Sequence, residues 1–217
     1  MKTESQLQQD VQAELKWEPS VDAAHLGVTV KDGIVTLSGH VASYAEKWQA
    51  EKAAQRVAGV NGLAVEIEVK LAGSSQRDDA DIARSVDNVL QWSSFTPTKS
   101  IQVLVEKGWV TLSGQVRWEF ERLSAASVIR HLLGVTGVSN QITLKQEPSS
   151  TVVKADIEAA LKRRAQNDAA RISVEVSGSK VTLSGTAHNW AERDLASQAA
   201  WSAPGVDDVV DNIVVTY

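Results

Sequence analysis

Cysteine is absent from these 217 residues. That excludes a disulfide framework, a thiolate metal site and a lipid-anchoring cysteine, although a cysteine-free chain suits reducing and oxidising compartments alike. A basic excess is also lacking, with 22 Lys and Arg against 27 Asp and Glu. Residues 1–72 hold 7 against 10, 73–148 hold 8 against 8, and 149–217 hold 7 against 9. Non-specific nucleic-acid binding is driven by cations that neutralise phosphate, so this balance argues against a nucleic-acid partner. Long apolar runs are missing too. Met1-Lys2-Thr3-Glu4-Ser5-Gln6 leads straight into a polar helical pattern, with no apolar segment for secretion or spanning. The expectation is a cytoplasmic protein, or a periplasmic one if an upstream signal has been removed. Enzyme signatures such as HExxH, GxSxG, a phosphate-binding loop or a dinucleotide glycine fingerprint do not occur.

What the chain does have is repetition. Val35-Thr36-Leu37-Ser38-Gly39 returns as Val110-Thr111-Leu112-Ser113-Gly114 and as Val181-Thr182-Leu183-Ser184-Gly185. A Gly-Val pair follows each motif glycine by 20 residues (Gly59, Gly134, Gly205), and Leu15, Leu90 and Leu161 precede each motif valine by 20. The chain is therefore three copies of one unit, at 1–72, 77–146 and 150–217, with linkers at 72–76 and 146–150. Units of this size bury only about 60% of their unfolded surface, so each is marginal and gains from its neighbours.

Within a unit, Leu7, Val11 and Leu15 recur every fourth residue, as do Ile82, Val86 and Leu90, and Val153, Ile157 and Leu161. This spacing lines one face of a helix, and Ser5 is a candidate cap for the first of them. Two alternating runs follow, joined by turns expected at 32–33, 107–108 and 178–179. Asp32-Gly33 suits a type I′ turn, while the third copy moves its glycine one place earlier (Gly178-Ser179) and predicts a different turn. A second helix carries a buried stripe: Ala50, Ala53, Ala54, Val57; Ala125, Val128, Ile129, Leu132; Ala196, Ala199, Ala200, Ala203. A last strand closes each copy. The fold class is α+β: three tandem αββαβ units, each a three-stranded mixed sheet with two helices on one face, since strand–helix–strand crossovers favour parallel pairing.

A helix, an xxGxVxLxG hairpin, a second helix ending in Gly-Val and a final strand resemble the BON domain, found in osmotically inducible periplasmic proteins and relatives. The resemblance covers nearly the whole chain, three times. It implies the αββαβ fold, no catalysis, no cofactor, and attachment to phospholipid or other envelope surfaces. The expected function is a non-enzymatic binding or scaffold protein linked to envelope or osmotic stress, with an anionic phospholipid surface as partner. Cytoplasmic relatives exist, and one type, joined to a LysM module, is linked to potassium. The rival expectation is thus an intracellular sensor holding a monovalent cation on backbone carbonyls where units meet.

Few residues stand out as sites. His25, His40, His131 and His188 fall at four different positions of the repeat, so no repeated metal site uses them, and no metal is expected. Lys162-Arg163-Arg164, with Lys154 and Arg171, forms the one basic run and the candidate for an anionic headgroup. The same cations would also complement a helix dipole. Seven tryptophans are many for a chain with two Phe and two Tyr. At about 100° per helical residue, Trp48 and Trp201 point away from the buried stripe. Trp17 and Trp92 share one position at the end of the first helix. Leu104 and Trp109 point outward from the middle sheet, where the other copies carry Thr29 and Ile34, or Glu175 and Lys180. These six are expected in contacts between repeats or between protomers of a homo-oligomer.

Overall fold

The computed structural model describes residues 2–93, 100–145, 157, 159, 172–203 and 206–216. The first unit runs α1 (Glu4–Trp17), β1 (Leu26–Lys31), β2 (Ile34–Val41), α2 (Tyr44–Arg56) and β3 (Gly62–Val69). The second repeats it as α3 (Asp79–Trp92), β4 (Ile101–Glu106), β5 (Trp109–Val116), α4 (Glu119–Ile129) and β6 (Gly137–Leu144). The third shows β7 (Ile172–Ser177), β8 (Lys180–Ala187), α5 (Trp190–Trp201) and β9 (Asp208–Val215). Of its first helix, Ile157 is described, helical and fully buried. Val153 and Leu161 lie outside the described residues.

Each sheet has the motif strand in the middle, antiparallel to the strand before it and parallel to the strand after α2, α4 or α5. Leu7, Val11 and Leu15 share one buried cluster with Ala50, Ala53, Ala54, Val35 and Leu37, so both helices lie on one face. The middle unit builds the same cluster with Ile129 where the others have alanine, and Val128 and Leu132 pack at its edge. Full burial of such side chains contributes about 1.5–3 kcal/mol each.

Local chemistry fixes the frame. The motif glycines have φ of +115° (Gly39), +126° (Gly114) and +125° (Gly185). A Cβ at Gly39 would run into the carbonyl oxygen of His25, and one at Gly114 into that of Ser100. The glycine thus lets the hairpin's first strand begin flush against the motif strand. At the turns, Asp32 and Gly33 (φ +52°, +75°) and Lys107 and Gly108 (φ +51°, +78°) have the two positive angles of a type I′ turn. In the third turn Gly178 (φ +64°) has a positive φ and Ser179 does not, as a type II′ turn requires. A carboxylate follows the turn type. Glu4 accepts from Asp32 N and Asp79 from both Lys107 N and Gly108 N, each at 2.8 Å, whereas the third copy has Ser150 at that position.

Thr3, not Ser5, caps α1. Its hydroxyl accepts from Gln6 N at 3.2 Å while the Gln6 side chain accepts from Thr3 N at 2.9 Å. Ser5 lacks such a reciprocal partner because Gln8 instead donates to Val28 O. The second helices share one device: Glu46, Glu121 and Glu192, at the third helical residue, accept from Ala42 N, Arg117 N and Trp118 N, and His188 N respectively.

Candidate functional site

The outward faces of α2, α4 and α5 meet one another. The Arg130 guanidinium of the second unit lies 3.6 Å from the Trp48 ring centroid of the first. Arg122 of the second unit stands 5.5 Å from the Trp201 ring of the third. Lys52 of the first pairs with Asp194 of the third at 2.6 Å, and Trp190 Nε1 donates to Val60 O at 3.0 Å. All three unit pairs are in contact. The positions used also agree in repeat register: Gln55, Arg130 and Trp201 are one position, and Tyr44, Glu119 and Trp190 another. The first half of each second helix meets the second half of the next unit's helix, or the loop after it. Head-to-tail contacts of this kind close into a ring when the rotation permits. Here three units of one chain complete it.

Each seam has its own chemistry. At the first, Tyr44 packs on the middle unit's core. Burial pulls Arg130 below the usual guanidinium range, against the pull of Tyr44 and Glu51. Burial likewise pushes Glu51 up, against Lys47, Lys52 and Arg130. Arg130 Nε is buried without a hydrogen-bond partner among the described residues, so the Trp48 face carries much of its compensation. The second seam is thinner. Leu123, in the position of Trp48, stays 45% exposed.

Glu119 is the buried charged side chain of the second unit, 7% exposed. Arg122 donates to its Oε1 at 2.6 Å, but Oε2 has no partner among the described residues. Desolvation raises its pKa and outweighs Arg122. Glu119 therefore costs stability once ionised: stability falls as pH rises through its raised pKa, and the loss is absent below the unfolded carboxylate value. Glu119→Gln should raise stability at pH 7 by about 1–2 kcal/mol and flatten the pH dependence on the acid side of neutrality. Urea titrations at pH 4.5 and 7 check this; equal stability of variant and parent at both would contradict it.

Several residues singled out from sequence sit elsewhere. Trp17 and Trp92 are 82% and 89% exposed at the ends of α1 and α3. Leu104 and Trp109 are 56% and 48% exposed on the open face of the middle sheet. Trp109 lies against Gly137 of its own sheet, where a Cβ would strike the indole. The paired position covaries: Ile34 sits over Gly62, and Lys180 pairs with Asp208 at 3.1 Å. Lys154, Lys162, Arg163, Arg164 and Arg171 lie outside the described residues. No helix among the described residues is long and apolar enough to cross a membrane. No group of three or more His, Asp or Glu among them is placed to hold a metal ion.

A family profile described as the BON domain matches residues 3–70, 78–146 and 149–217. The chain belongs to the BON domain family. Osmotically-inducible protein Y of Escherichia coli (strain K12) is 29% identical over 139 residues, which is 62% of this chain and 69% of that protein. Two solved structures of CdsD, a structural protein of the Type III secretion system of Chlamydia trachomatis, are 16% and 15% identical. They cover 100% and 96% of this chain and 100% and 91% of theirs, with TM-scores of 0.27 and 0.26, too low to carry an argument.

The BON units thus present their sheets outward and their second helices to one another. Sequence reasoning singled out Trp48 and Trp201 but not their cationic partners Arg130 and Arg122, nor Trp190, Asp194 and Lys52. The signal was available. Arg130 stands where the first unit has Gln55 and the third Trp201, at a helix position off the buried stripe. An open cavity of about 490 Å³ lies where His188 of the third BON unit approaches Lys2, Leu7, Asp32 and Asn61 of the first.

Proposed function

We propose that this chain is a non-enzymatic, stress-related binding protein that attaches to anionic phospholipid surfaces. The supporting observation is the pair Trp17 and Trp92. They occupy the same position in two units and are almost fully exposed, at the same end of equivalent helices. Indole rings favour the headgroup level of a bilayer, where an apolar body and a polar N–H are both accommodated. In the third copy this sequence position is Arg163, flanked by Lys162 and Arg164. Each such cation near an anionic surface contributes on the order of 1 kcal/mol. The osmotic-stress role is suggested by the name of the Escherichia coli relative.

The test is co-sedimentation with vesicles of phosphatidylglycerol and phosphatidylcholine. Binding should require the anionic lipid and weaken with salt. It should fall about tenfold when Lys162, Arg163 and Arg164 become Gln, losing roughly 1.4 kcal/mol or more, and fall again for Trp17→Ser with Trp92→Ser. Unchanged sedimentation in both variants would sink the reading. A melting temperature raised by potassium but not by sodium, with no vesicle binding, would favour the cation sensor instead, because a ligand of the folded state alone stabilises it.

A further inference from the structure

We infer that the open sheet face of the middle unit is a docking platform for a neutral glycan strand. Trp109 is the reason to look there. Its ring lies against Gly137, so one face is fixed by the protein's own backbone while the residue remains about half exposed. A flat, immobilised indole offers an apolar surface with little entropy left to lose. Leu104 stands diagonal to it on the neighbouring strand, since Glu106 faces Trp109 and Leu104 faces Thr111.

Beyond these two the face is polar, and Glu106, opposite Trp109, is the charged residue on its strands. The cross-strand rows are Leu104–Thr111–Ser139 and Gln102–Ser113–Gln141. Among the described residues none forms a hydrogen bond to the side chains of Gln102, Thr111, Ser113, Ser139 or Gln141, so their amides and hydroxyls can turn to a ligand. Rows two residues apart are separated by roughly 7 Å, on the scale of a sugar ring and its linkage. The same face of the first unit carries Lys31, Glu66 and Glu68, and that of the third carries Glu175 and the Lys180–Asp208 pair. The middle face has Gln141 and Thr143 where the first has Glu66 and Glu68, and it gains the indole, while Glu106 keeps one charge at the position of Lys31.

This chemistry selects among occupants. A second copy packed sheet to sheet would bury hydroxyls and amides against one another around two apolar side chains, unlike the apolar centre of a stable protein interface. An anionic lipid surface finds no cation here. A neutral polyhydroxyl chain matches both parts, stacking its C–H face on Trp109 and exchanging hydrogen bonds with the polar rows.

The experiment is calorimetric titration of the full chain with cellohexaose and with the hexamer of N-acetylglucosamine, alongside sedimentation velocity of the free protein. At least one sugar should bind with a submillimolar dissociation constant. Trp109→Ala should weaken it at least tenfold, and Gln141→Ala severalfold. Because Trp109→Ala uncovers Gly137 and could disturb the sheet, Ser139→Glu serves as a second variant. It places a charge on the face, leaves the indole in position, and should weaken binding to a similar extent. Trp17→Ser with Trp92→Ser should leave sugar binding unchanged, which separates this surface from the proposed lipid contact. The inference is overturned if neither sugar binds at millimolar concentration, or if binding survives both Trp109→Ala and Ser139→Glu. It is equally overturned if the protein is a dimer that Trp109→Ala dissociates, since a second copy then occupies the face.

Discussion

Trp48→Ala should part the first unit from the second. The substitution removes the ring under a guanidinium whose Nε has no hydrogen-bond partner among the described residues, 3.6 Å from the centroid. A desolvated cation–π contact is worth about 2 kcal/mol, and the lost apolar contact adds roughly 1 kcal/mol. A total near 3 kcal/mol is large for a small unit that leans on its neighbour. Thermal unfolding should then show an early transition absent from the parent, and limited proteolysis should cut within the linker at 72–76. Arg130→Met supplies the contrast. Replacing a buried cation by an apolar chain of similar length removes its desolvation cost, so that variant should keep most of its stability. A Trp48→Ala protein with unaltered melting and protease resistance would show that the ring is not what holds the seam.

Gly114→Ala should prevent the middle unit from folding. At φ +126° an L side chain is strained, and its Cβ would meet the backbone oxygen of Ser100, which cannot swing aside as a side chain would. Strain and a forced backbone shift together put the cost at about 4 kcal/mol. The middle unit takes part in two of the three seams, so its loss should also free Trp48 and Trp201. Amide-exchange protection should vanish across residues 101–144 and decline in the second helices of both neighbours. Native-like protection over β4 to β6 would refute the assignment of the motif glycine to backbone geometry. Ser113→Ala, one residue earlier, changes a side chain on the open face and should be nearly neutral by the same measurement.

Much of the fold was legible because repetition multiplies weak signals. One alternating run of five residues fits a strand or a buried helix turn; three in the same register, each followed at the same distance by Gly-Val, leave little freedom. The alanine stripe of α2 and the I′ turn at Asp32-Gly33 follow from local geometry and emerge as read. The sequence points to Ser5 rather than Thr3 as the cap because each has a Gln three residues on, and it does not say that Gln8 is engaged with Val28 O. The seams were half legible. An outward tryptophan such as Trp48 declares itself, but Arg130 looks like any solvated arginine until the neighbouring helix is in place. Glu119 reads as a helix-start carboxylate, and its burial comes only from the third dimension.

The closed arrangement of α2, α4 and α5 has a consequence for how the repeats could diverge. In a ring of three identical chains, any substitution appears at all the interfaces together and must suit each of them. With the copies joined, every boundary is free to drift alone. Its products are visible: indole over guanidinium at one boundary, guanidinium beside indole with the roles reversed at the next, and an ammonium–carboxylate pair with an indole-to-carbonyl bond at the last. The copies have become non-interchangeable parts, each shaped to one predecessor and one successor. A further copy would find the second-helix faces of these three already taken, whereas an open array could be extended from either end.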